Sequence, residues 1–210
     1  MSSNPDLAQD AAPLPLFPLF LDLRQRPVLV VGAGAVGTHK ALGLIEAGAR
    51  VTVVAPAATA ELAAAAARGA LCWHPRRFEA ADVDAVYLVV AATGDASVNA
   101  EVAAAAAARC RVVNAVDDPQ NGSAYAASIV RRGPVTIALS TGGRAPAVAR
   151  LLRELLESLL PDAAQLARWV EQAEALRPIW RREGRAMSGR YRELLRALVR
   201  GEEAAREAAP

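Results

Sequence analysis

The stretch "VLVVGAGAVGTHKALGLIEAGARVTVVAP", residues 28–56, decides the fold. Two runs of β-branched residues flank glycines at 32, 34 and 37, the G-x-G-x-x-G spacing of a dinucleotide-binding turn. Gly32 permits a tight turn, Gly34 lets backbone approach a pyrophosphate, and Gly37 lets the following helix pack on the strand. The bare spacing is a weak signal. Here it follows an apolar strand and opens a helix with Val36, Ala41, Leu44, Ile45 and Gly48 on one face. A second strand follows after "GAR", the context that favours a dinucleotide site over a turn that serves packing alone. One element is missing. Where an acid would grip the ribose, the chain has Thr52, Val53, Val54 and Ala55, so backbone around Ala55 and Pro56 is expected to hold it. Arg50 precedes the strand and is no clamp for a 2′-phosphate.

Working outward, strands are expected at 28–31, 51–54, about 70–73, within "DAVYLVVAAT" and at 111–116, with helices at 58–68 and 98–109. Continuous apolar strands alternating with helices imply a parallel sheet covered on both faces, a Rossmann-like α/β fold. The rhythm changes after Asp118-Pro119. One clear strand, 135–139, precedes a helix from about Pro146 that carries Val148, Leu151, Leu152, Leu155, Leu156 and Leu159 and ends at Pro161. Two more helices, 162–177 and 187–199, follow, the second with Met187, Tyr191, Leu194, Leu195 and Leu198 on one face. Stripes this wide require burial under other helices or in a second subunit. The expected division is a flexible tail at 1–13, a nucleotide domain at 14–118, a small α+β dimerisation and substrate segment at 119–160, and a helical region at 161–210.

Composition narrows the function classes. Hydrophobic residues make up 53% and charged residues 22%, as in a folded protein, and a net charge of +2 gives no argument for nucleic acid. Lys40 is the only lysine. Arginine suits carboxylate or phosphate capture, and a GC-rich genome yields the same bias. Cys72 and Cys110 match no metal or redox spacing and read as reduced, buried thiols. The start of the chain lacks a signal-peptide pattern and no apolar run is long enough for a membrane helix, so a cytoplasmic protein is expected.

Two further stretches carry chemistry. In "NAVDDPQNGS", Asp117 and Asp118 follow the strand 111–116 and so fall at the carboxyl edge of the sheet, where ligands of such folds bind. Either they cap a turn before Pro119, or one acts as a general base. In "LSTGGRAPAVARLLRELLE", hydroxyls, glycine amides, Arg144 and a helix start make an anion-receiving corner, or simply an N-cap. His39 and His74 have no partners at ligand spacing, so no metal site is expected.

With these stretches in hand, the chain resembles the precorrin-2 dehydrogenase / sirohydrochlorin ferrochelatase family, the siroheme synthase N-terminal module. The matching pieces are "LPLFPLFLDLRQRPVLVVGAGAVG", "EAGARVTVVAP", "LVVAATGDASVN", "VVNAVDDP" and "RGPVTIALSTGGRAPAVARLLRELLESLLP", in order from residue 13 to about 161. The resemblance implies NAD-dependent dehydrogenation of precorrin-2 to sirohydrochlorin, and in some members insertion of ferrous iron to give siroheme. It places the acting carboxylate on Asp117. Cofactor contacts fall on Gly32, Gly34, Ala35, Val36, Gly37, Ala55, Pro56 and Thr93, and substrate contacts on Asn114, Ser140, Thr141, Gly142 and Arg144. A residue phosphorylated in some members falls on Thr141. The family forms homodimers through the segment after the nucleotide domain and commonly lacks the ribose-binding acid. For a polycarboxylate substrate, Arg131, Arg132, Arg144 and Arg150 are the candidate cations. Two competing readings are a non-catalytic NAD-sensing module, which has no need of Asp117 or the "STGGRAP" corner, and a dehydrogenase of small hydroxy acids, which wants a histidine or lysine acid-base.

Overall fold

In the computed structural model the described residues are 16–116, 118 and 120–207, with side chains described as far as residue 198. Five parallel strands form one sheet: β1 (Pro27–Val31), β2 (Arg50–Val54), β3 (Cys72–His74), β4 (Leu88–Ala91) and β5 (Val112–Ala115), in the order β3-β2-β1-β4-β5. The connecting helices are α1 (Ala35–Glu46), α2 (Ala60–Ala67) and α3 (Ala96–Ala108), with a 3-10 turn at Ala80–Val83 before β4.

Alternation along β1 builds both halves of the core. Leu29 and Val31 join Val89, Val113, Val102 and Ala106 on one face, while Val30 joins Val53, Ala41, Leu62 and Ala65 on the other. All four of Val28–Val31 are buried, as a central parallel strand requires. The chain leaves β1 towards β2 and β3, then returns to add β4 and β5 on the opposite side. This reversal between β1 and β4 is the switch point at which open α/β sheets hold ligands.

Contacts divide the chain into two compact units, residues 1–126 with 142–144, and residues 127–141 with 145–210. The second unit contains an antiparallel hairpin, β6 (Ser128–Arg132) and β7 (Val135–Leu139), then α4 (Pro146–Leu159), α5 (Ala163–Arg182) and α6 (Met187–Glu207). Gly133, at φ +55°, makes the hairpin turn, and a Cβ there would lie 2.8 Å from the Ala163 carbonyl oxygen.

The structure departs from the sequence reading in five places. Strand β6 pairs with the expected 135–139 strand; its arginine-ended sequence "SIVRR" hides the alternation. Helix α5 runs through Pro178, which is exposed, at the loss of one backbone hydrogen bond. Val36 is 47% exposed, and α1 instead buries Gly37, Thr38 and Ala41. Both cysteines are exposed. Cys72 lies on the short edge strand β3, and Cys110 takes a left-handed conformation (φ 52°) just past the end of α3, which turns it out of the helix. Finally, "DAVYLVVAAT" contributes only four residues to β4, because the residues before Leu88 form a turn and bend that follow the 3-10 segment.

Candidate functional site

The site grows from the peptide that leaves β1. Gly32 (φ +105°) donates its N–H to the Val54 carbonyl at 3.0 Å, and a Cβ on it would lie 2.4 Å from the Ala92 carbonyl oxygen. On Gly37 a Cβ would lie 2.1 Å from the Gly32 carbonyl oxygen. Both positions are therefore closed by backbone, and no side chain fits. Gly34 is the opposite case: it is exposed, and a Cβ there would meet nothing within 4 Å. Two glycines make the turn, and the third leaves its outer face open.

Helix ends separate this turn from the rest of the first unit. The N-terminus of α2 is capped by Thr59, whose hydroxyl accepts the Leu62 N–H at 3.2 Å, and that of α3 by Asp95, whose carboxylate accepts the Ser97 N–H at 2.9 Å. The Ser97 hydroxyl and then the Ser97 and Val98 amides hold the Asp95 carboxyl below the usual carboxylate range. At α1 the N-cap is Gly34, no side chain caps the helix, and its first turn contains no acid. The first N–H groups of α1, from Ala35 and Val36 onward, are left for an anion, which the helix dipole favours. An open glycine face at an uncapped helix start at the switch point fits the pyrophosphate of a dinucleotide.

Side chains brace the turn from both flanks. On the β2 side, the buried Thr38 hydroxyl lies 2.8 Å from that of Thr59, and the Thr59 N–H bonds the Ala33 carbonyl at 3.1 Å. The Ala55 backbone is anchored by β3: its N–H donates to the His74 carbonyl at 3.2 Å, and its carbonyl accepts Trp73 Nε1–H at 3.0 Å. That leaves a carbonyl lone pair and the exposed Pro56 for a ribose. On the β4 side, Thr93 is held by Asn99 through three hydrogen bonds. Neither Trp73 nor Asn99 was singled out by sequence reasoning. A polar residue at an otherwise alanine-rich buried position of α3 was the available signal for Asn99.

At the carboxyl edge, the Val116 N–H bonds the Ala91 carbonyl at 2.9 Å, so the exit of β5 lies beside that of β4. Asp117 lies outside the described residues. Asp118 serves the turn: its carboxylate accepts Asn121 Nδ2–H at 2.7 Å, and its carbonyl accepts the Asn121 N–H at 3.3 Å. Asn114 is half-buried, and its Nδ2 donates to the Ala124 carbonyl at 2.8 Å.

In the second unit, α4 resembles α1 in having no side-chain cap and no acid in its first turn, with Pro146 at the start. The Thr141 hydroxyl accepts the Ala145 N–H at 3.2 Å. Of the candidate cations, Arg132 donates to the Leu160 carbonyl at 2.7 Å and Arg150 pairs with Glu154 at 2.8 Å. Arg131 and Arg144 are exposed and pair with no carboxylate among the described residues. His39 and His74 are exposed, and His74 Nε2 lies 3.6 Å from Cys72 Sγ. Among the described residues, no three His, Cys, Asp or Glu side chains could hold a metal, and no helix is long and apolar enough to cross a membrane.

Comparison with known proteins gives the same outline. Residues 19–128 match the family model described as "Putative NAD(P)-binding", and residues 132–159 match "Sirohaem biosynthesis protein central". Siroheme synthase 1 of Cronobacter sakazakii is 52% identical over 160 residues, covering 76% of this chain and 34% of the relative. Siroheme synthase of Thioalkalivibrio sulfidiphilus is 48% identical over 156 residues, covering 74% and 32%. The chain thus spans about a third of the length of these curated relatives. Among solved structures, "SirC, precorrin-2 dehydrogenase" superposes with a TM-score of 0.69 at 27% identity, covering 86% of this chain and 88% of that one. With one family model over just over half its length and a second over the segment that follows, the chain belongs to the siroheme synthase and precorrin-2 dehydrogenase family.

Proposed function

We propose that the chain catalyses the NAD-dependent dehydrogenation of precorrin-2 to sirohydrochlorin in siroheme biosynthesis. The single observation that carries the reading is the uncapped, side-chain-free face at Gly34, set at the sheet's switch point in a chain of this family. The amides of Ala35 and Val36 receive the pyrophosphate, and Ala55 and Pro56 flank the ribose. When bound, the nicotinamide ring supplies the hydride acceptor. NAD is taken as the acceptor from the family resemblance; after β2 stand Ala55, Pro56, Ala57 and Ala58, with neither an acid for a ribose 2′-hydroxyl nor a cation for a 2′-phosphate.

Loss of two hydrogens from the substrate also requires a base. Asp117 takes that proton, as the carboxylate next in sequence to the exit of β5, while its neighbour Asp118 is occupied in the turn. Substrate contacts are assigned to Asn114, Ser140, Thr141, Gly142 and Arg144. Arg131 and Arg144 suit the substrate carboxylates, since Arg132 and Arg150 are already engaged. The protein acts as a cytoplasmic homodimer through the 119–160 segment. The same Asp117 carboxylate would accept pyrrole protons if the chain also inserts ferrous iron into sirohydrochlorin.

Anaerobic incubation with precorrin-2 and NAD should produce sirohydrochlorin and NADH together, followed by absorbance. Asp117→Ala should lower kcat by a factor of about 100 or more with little change in NAD affinity. Undiminished turnover in that variant removes Asp117 from the mechanism. Siroheme formation no faster than the uncatalysed rate, with ferrous iron supplied, limits the chain to dehydrogenation.

A further inference from the structure

Thr93 stands where β4 gives way to α3, and a cofactor contact was expected from it. Its backbone is already spoken for. Asn99, in the first turns of α3 and 7% exposed, accepts the Thr93 N–H on Oδ1 at 3.0 Å and donates Nδ2–H to the Thr93 carbonyl at 3.1 Å. The Thr93 hydroxyl lies 2.7 Å from the same Oδ1 and 2.9 Å from the Asp95 carbonyl, and it accepts the Asp95 N–H at 3.2 Å. One amide side chain grips both sides of one residue, as a neighbouring strand would.

A buried amide is costly wherever it is not fully paired, and an apolar side chain would serve a helix-to-sheet contact better. The cost has a counterpart in what Thr93 touches. The Ala92 N–H bonds the Val31 carbonyl at 2.8 Å, and a Cβ on Gly32 would lie 2.4 Å from the Ala92 oxygen and 2.9 Å from the Thr93 nitrogen. The Ala92–Thr93 peptide is thus the surface on which the glycine turn rests. The next residue, Gly94, is exposed, a Cβ there would meet nothing within 4 Å, and its N–H has no partner among the described residues. Like Gly34, it presents bare backbone.

We infer that Asn99 is a positioning residue for the cofactor: by locking Thr93 from behind, it fixes the Thr93–Gly94 peptide as the second wall of the crevice opened by Gly34. Thr93 then contributes to binding through the placement of its backbone, and the accessible amide is that of Gly94. This rests on the crevice taking a nicotinamide dinucleotide, and does not depend on which substrate is oxidised.

The test compares NAD affinity with stability in the full chain. Asn99→Ala should raise the Kd for NAD by about tenfold. Val102→Ala, at a fully buried position of the same helix facing the sheet core, serves as the control for destabilisation alone. It should lower Tm at least as much while leaving Kd within about twofold. Asn99→Asp keeps the shape and both acceptor contacts but sets a carboxylate against the Thr93 carbonyl. With the donor lost and an acceptor facing that carbonyl, its Kd for NAD should rise at least as much as that of Asn99→Ala. Equal Kd changes in Asn99→Ala and Val102→Ala, or an unchanged Kd for Asn99→Asp, would overturn the inference. If the unaltered protein binds NAD but does not oxidise precorrin-2, the proposed reaction falls and this inference stands. If it binds neither NAD nor NADP, both fall.

Discussion

Single residues separate folding from binding in the glycine turn. Gly34→Ala adds a methyl group into open space at an ordinary φ of −72°, so Tm should barely move. The methyl would, however, stand where a pyrophosphate approaches, and the Kd for NAD should rise by about tenfold or more. Gly37→Ala forces a carbon to within 2.1 Å of the Gly32 oxygen and should cost about 2–4 kcal/mol of stability, since backbone must move. Thermal denaturation with and without NAD distinguishes the two variants. If Gly34→Ala bound NAD normally, the pyrophosphate would not lie over this face. Asp82 gives a prediction in pH. The Arg76 guanidinium bonds its carboxylate (Nη1 to Oδ2 at 2.9 Å), and chiefly for that reason its pKa lies below the ordinary 3.8. A depressed carboxyl stabilises the fold above the unfolded value and loses that contribution as pH falls through the folded one. The loss therefore belongs to the acid side of 3.8. Asp82→Asn should cost about 1 kcal/mol at neutral pH, discounted for the partly exposed arginine, and should flatten the acid limb of the stability curve.

Among the elements, α4 holds the clearest unmet demand. Val148, Leu151, Leu152, Leu155 and Leu159 are between 42% and 77% exposed. Five large apolar side chains on one helical face are what a homodimer interface would cover. Leu151→Arg with Leu155→Arg should leave the chain folded, because neither position is buried within it, and weaken self-association by about a hundredfold or more. Light scattering over a concentration series measures this, and a monomeric unaltered protein would remove the stripe from dimerisation. The stripe was legible because 3.6-residue periodicity survives in any helix that needs one apolar face. The parallel strands were legible for a related reason: burial on both sides leaves unbroken runs such as Val28–Val31. Strand β6 was not, since its partner is a single strand and "SIVRR" needs only Val130 buried. The passage of α5 through Pro178 was equally hidden, because solvent can satisfy the carbonyl that proline leaves unpaired. In the site, the glycine spacing announced the turn itself. The hydrogen bonds of Asn99 and Trp73 did not announce themselves, because they join residues whose proximity depends on the folded sheet.

At the scale of the whole molecule, the chain is two compact units, and the proposed cofactor belongs to the first. A ligand that binds only the folded state stabilises it by about 2.7 kcal/mol at a concentration one hundred times its Kd. Saturating NAD should accordingly slow amide exchange along β1 and β4, read by mass spectrometry, and unchanged protection there would place the nucleotide elsewhere. The two margins of the five-stranded sheet have a further consequence. Beyond β5, Ser123 and Ala124 donate their N–H groups to the Val113 carbonyl, each at 2.9 Å, and the Ser123 hydroxyl accepts the Val113 N–H at 2.9 Å. On the other side β3 is only three residues long. One border is sealed by the chain itself and the other is too short to template much, so this sheet resists extension by foreign strands and the runaway stacking that leads to fibrils.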